Sequence, residues 1–114
     1  MWDGPFYRVR RDGYEICFVP DPEEDLDELC NVDMWVTRDD GERWCGTVFT
    51  LDEVRRVMDR QRDAGDPEGD YWWVWDGLIV REPGVRAISQ VIDRLVATGD
   101  LATVLRPIGP SDSP

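Results

Sequence analysis

A chain of 114 residues, 41% hydrophobic with six Trp and a third of its positions charged, has the composition of one folded domain that buries somewhat over about 60% of its unfolded surface around a single core. Its 25 acids against 13 bases give a formal charge of −12, which repels phosphate backbones and anionic membranes and so argues against nucleic-acid and membrane partners while favouring encounter with a basic protein. Every base is Arg; without His or Lys there is no Ser-His-Asp or Cys-His relay, no imidazole metal ligand, no Schiff base and no phosphate-loop lysine.

In chain order, Phe6 to Arg10 and Tyr14 to Val19 read as two strands joined through Asp12-Gly13, a pairing typical of tight hairpins. The stretch PDPEEDLDELC, residues 20 to 30, follows with six carboxylates: Asp21, Glu23, Glu24, Asp25, Asp27 and Glu28. Pro20 and Pro22 remove backbone donors and disfavour helix, so residues 20 to 24 are expected to be loop, with at most one helical turn from Asp25 to Cys30. Val32 to Thr37 and Arg43 to Phe49 make a second hairpin across Asp39-Asp40-Gly41. Alternation sets Val32, Met34, Val36, Trp44, Gly46 and Val48 on the apolar face; Trp35 and Phe49 fall on the other.

Thr50-Leu51-Asp52-Glu53 has the pattern of a capping box, in which the Thr50 hydroxyl takes the Glu53 amide and the Glu53 carboxylate reaches back to the Thr50 amide. The helix it opens runs to about Ala64, with Leu51, Val54, Val57 and Met58 as the apolar stripe and alternating charges outside. YWWVW, residues 71 to 75, reads as a central strand covered on both faces. Asp76-Gly77 then turns it into a hairpin with Leu78 to Val80, or else bulges one long strand. A second helix from Pro83 to Gly99 carries Val85, Ile88, Val91, Ile92 and Leu95 on one stripe, and Leu101 to Leu105 reads as an edge strand. The order implies a single α+β domain over residues 1–106, an antiparallel sheet of about five to seven strands with two helices on one face, and a flexible tail from 107 to 114.

The acidic stretch fails as a calcium loop, because counting from Asp21 the sixth and twelfth places hold Leu26 and Val32 where Gly and Glu are required. It also lacks the burial that a catalytic carboxylate pair needs. Two readings remain: a solvated connection, or a docking surface for a basic partner. Concentrating like charge with no interspersed Arg between residues 12 and 37 favours the second, because it costs self-repulsion. Cys17, Cys30 and Cys45, odd in number and without close pairing, read as reduced small hydrophobes, and the absence of a signal pattern or long apolar run points to the cytoplasm. No cofactor, metal or catalytic residue is assigned.

In size, charge, α+β build and lack of catalytic machinery, the chain resembles the small acidic immunity proteins of bacterial toxin systems. That resemblance implies a protein that binds a cognate basic toxin domain and blocks it; it rests on no alignable motif, so it transfers no residues. The expected contact surface is the carboxylates of 21 to 28 with Trp35 and Trp72 as anchors, since aromatics supply much of the energy at interfaces. The alternatives are an aromatic-lined pocket using Arg and carboxylates for a small ligand or an enzymatic reaction, and a homodimer through surplus Trp surface.

Overall fold

The computed structural model describes residues 1–65 and 67–109. Its strands are β1 (Trp2–Asp3), β2 (Phe6–Arg11), β3 (Tyr14–Val19), β4 (Asn31–Arg38), β5 (Arg43–Thr50), β6 (Gly77–Val80) and β7 (Arg106–Ile108); its helices are α1 (Leu51–Asp63), α2 (Val85–Thr98) and α3 (Leu101–Val104). The chain is the α+β domain expected. One sheet runs β1-β2-β3-β4-β5-β6, with β7 also against β5, and all pairings are antiparallel except β5 with β6. That exception follows from connectivity: α1 carries the chain back across the sheet, so β6 re-enters in the direction of β5. Among the described residues no helix is long and apolar enough to cross a membrane.

The period-two reading of the central strands holds. Tyr14, Ile16 and Phe18 of β3, Val32, Met34 and Val36 of β4, and Trp44 and Val48 of β5 are buried together with Ile88 and Ile92 of α2 and with Leu101 and Leu105. Gly46 sits in this face because nothing larger fits: a Cβ there would lie 2.6 Å from Leu105 Cδ2 and 2.7 Å from the Asp76 carbonyl oxygen. The α2–sheet contact is also clasped at its edge, where Asp93 accepts hydrogen bonds from the Arg11 guanidinium and the Tyr14 hydroxyl.

Four expectations need correction. The run Tyr71 to Trp75 is not a strand but irregular chain. The reason is competition for one edge: Gly77 pairs with Thr47, so any strand before it would need β5 residues 43 to 45, and β7 already occupies those. Asp76-Gly77 therefore makes neither a hairpin nor a bulge; it turns irregular chain into the edge strand β6, with Asp76 at φ 51°. Leu101 to Val104 form a helical turn, because Leu101, Val104 and Leu105 repeat at helical spacing and place Leu101 and Leu105 in the core. Pro107 and Ile108, read as the start of a tail, continue from Arg106 as strand β7 and pair with β5, while 110–114 lie outside the described residues.

Of the two long helices, α2 supplies the residues packed in the core cluster. α2 buries Ile88, Ser89 and Ile92, whereas α1 buries no residue fully and leaves Leu51 50% exposed. Of the expected capping box only half forms: the Thr50 hydroxyl accepts from the Glu53 amide at 3.1 Å, but the Thr50 amide donates to the Cys30 carbonyl at 3.0 Å instead.

Gly46→Ala is expected to destabilise by about 1–3 kcal/mol, since the Asp76 carbonyl is backbone and cannot yield; a lowered urea midpoint checks this. The Arg11 guanidinium holds the Asp93 carboxyl below its ordinary value near 3.8. The stability it contributes is therefore complete above that value and is lost as pH falls toward the folded-state pKa. Asp93→Asn should be less stable by a constant amount above about pH 5, with a shallower loss on acidification below pH 4, measured by denaturation across pH.

Candidate protein-docking surface

The loop joining β3 to β4 contains every one of the six expected carboxylates, and its own side chains shape it. The Asp21 amide donates to Glu24 Oε1 at 3.0 Å, Asp21 Oδ1 accepts from the Glu23 amide at 3.2 Å, and Asp25 Oδ1 accepts from the Asp27 amide at 2.9 Å, capping a 3₁₀ turn over Leu26–Glu28. Leu29 beyond it is wholly buried, and its carbonyl accepts the Gly84 amide at 2.9 Å. The loop is therefore docked at Leu29 and carries the single turn expected within Asp25 to Cys30.

None of Asp21, Glu23, Glu24, Asp25, Asp27 and Glu28 forms an ion pair with a described residue. Six arginines are engaged elsewhere: Arg8 with Asp3 and Glu15, Arg10 with Asp39, Arg11 with Asp93, Arg56 with Glu53, Arg62 with Asp59 and Arg106 with Asp76. These six pair with acids close to them in the fold. The loop keeps its charge uncompensated.

Trp35 lies on the face of the sheet opposite the core of Met34 and Val36, half-buried in register between Cys17 and Cys45. Trp72 is carried onto Phe49, edge to face with centroids 4.7 Å apart, and Phe49 is the register partner of Asn31, one residue beyond Cys30. Trp72 thus stands at the loop's end of the sheet, and Trp35 does not adjoin the loop.

The more exposed aromatics are ones that sequence reasoning placed in the core. Tyr71 is 55% exposed, Trp73 64%, Trp75 78% and the neighbouring Ile79 of β6 44%, with Trp73 and Trp75 stacked edge to face at 5.9 Å. Breakers at both ends of the run, GDPEGD before it and Asp76-Gly77 after it, are the signal that could have separated it from a strand. Exposed apolar residues grouped like this mark contact surfaces more often than chance.

Two grooves flank the start of α1, the first reaching the acidic loop at Glu28 and the second ending at Asp70, next in sequence to the aromatic segment. One of about 430 Å³ is lined by Glu28, Cys30, Asp52, Glu53, Arg56 and Arg81 among others, and one of about 520 Å³ by Leu51, Asp52, Met58 and Asp70; they meet at Asp52 in the first turn of α1. In the first groove the Cys30 thiol donates to Glu53 Oε2 at 3.3 Å. Burial and that carboxylate push the thiol pKa up, so it stays protonated, the opposite of what a nucleophile needs. Burial would raise Glu53 as well, but its contact with Arg56 outweighs this and holds it ionised.

Trp72→Ala is expected to cost about 1–3 kcal/mol through loss of the Phe49 contact, whereas Trp75→Ala should change stability by less than about 0.5 kcal/mol; urea unfolding of the two variants checks the contrast. Compared with protein-family models, with curated proteins and with solved structures, the chain matches none.

Proposed function

We propose that this chain is an acidic protein-binding module of the inhibitor or immunity type, which neutralises a basic partner such as a toxin domain in the cytoplasm. The observation that carries the reading is the ordered loop of residues 21 to 28, whose six carboxylates have no ion-pair partner among the described residues while many of the arginines are paired elsewhere. Like charges held at fixed spacing repel one another, and a complementary positive surface relieves that repulsion on binding. Tyr71, Trp73, Trp75 and Ile79 supply the apolar contact that charge alone does not. The competing small-ligand reading has less support, since the clefts of about 430–550 Å³ are lined by none of Tyr71, Trp72, Trp73 and Trp75.

The test uses the product of the adjacent reading frame as partner, with association followed by stopped flow at several ionic strengths. Replacing Asp21, Glu23, Glu24 and Asp25 together by Asn or Gln keeps the loop's backbone hydrogen bonds and should leave the fold intact. Association should slow by at least about tenfold at low salt, with a flatter dependence on salt. An unchanged rate and slope, or no binding by the unmodified chain, would contradict the proposal.

A further inference from the structure

Between β2, the acidic loop and the start of α2 lies a cleft of about 550 Å³, open to solvent. Asp25 and Asp27 stand on one side of it, and Tyr7, Val9 and Leu26 provide an apolar wall. Ser89, one turn into α2, also lines it. Ser89 is 1% exposed, and its hydroxyl is the buried side-chain polar atom that has no hydrogen-bond partner among the described residues. A buried hydroxyl without a partner is unusual in folded proteins, since it costs free energy that a donor or acceptor would recover.

Of the charged groups lining the cleft, Arg11 is neutralised by Asp93, which leaves Arg86 alone against Asp25 and Asp27: two negative charges and one positive. The cleft therefore favours a cation with an apolar stem. A guanidinium fits these demands better than an ammonium, because its planar fork presents five donors and can serve two carboxylates and a hydroxyl together. We infer that this cleft is the receptor for an arginine side chain of the basic partner, its stem along Tyr7 and Leu26, its guanidinium held by Asp25 and Asp27 and donating to Ser89 Oγ. The inference rests on the proposed docking function and assigns it a specific pocket.

Amide chemical shifts of the full chain are followed during titration with N-acetyl-triarginine amide and, separately, with the trilysine equivalent and with inorganic phosphate. The shifts should centre on Leu26, Val85 and Ser89, and the arginine peptide should bind about tenfold more tightly than the lysine one. Ser89→Ala should weaken arginine binding about fivefold without lowering stability, because it removes an unpartnered hydroxyl. Shifts confined to residues 21 to 24, equal affinity for the two peptides and indifference to Ser89→Ala would overturn the pocket while leaving the acidic docking surface standing. Failure of both peptides to bind would count against the pocket and the docking surface alike. Phosphate moving the same amides at lower concentration would overturn the inference in favour of an anion site.

Discussion

Leu29 is the residue on which the candidate surface depends. It sits fully buried beside a stretch that otherwise carries six carboxylates, and its carbonyl accepts the Gly84 amide. A Cβ at Gly84 would come within 2.5 Å of the Asp27 carbonyl oxygen, and its φ of 100° suits glycine, so loop and helix start are fitted to each other at this one point. Burial of a leucine contributes on the order of 2 kcal/mol, enough to hold down a short loop whose charges repel. Because the loop is pinned there, its carboxylates present a fixed pattern, α2 begins at Val85, and a cleft forms between them.

Charge is distributed over the molecule in a consistent way. Arginines at strand ends and on α1 pair with nearby acids, which adds little stability individually at exposed positions but cancels charge locally. The loop is left out of that cancellation. The aromatic segment is likewise left out of the sheet, since β7 and β6 divide the free edge of β5 between them. Uncompensated charge and uncovered aromatic surface are both costs to an isolated monomer in water, and a basic partner with an apolar patch would relieve both.

Much of this was legible in the residues. Both hairpins, their turns and their faces follow from alternation and from Asp-Gly and Asp-Asp-Gly, and α1 and α2 follow from helical spacing closed by Gly65 and Gly99. The misreadings share one cause: competition among non-local partners. YWWVW has strand propensity but no free edge to pair with, Leu101 to Leu105 is claimed by the space over Gly46, and the Thr50 amide is taken by the Cys30 carbonyl before Glu53 can reach it. At the site, the carboxylates could be listed from sequence, but their order and the unpartnered Ser89 could not, since both depend on what the loop packs against.

The most direct measurement is amide hydrogen exchange across the chain, free and with a basic partner bound. The account predicts added protection over residues 21–29, at Tyr7 and Val9 of β2 beside the cleft, and in the aromatic segment with β6, 71–80, with little change at the turn between β4 and β5, residues 39–42. Protection confined to β1 and β2, with the acidic loop and the aromatic segment exchanging as in the free protein, would contradict it.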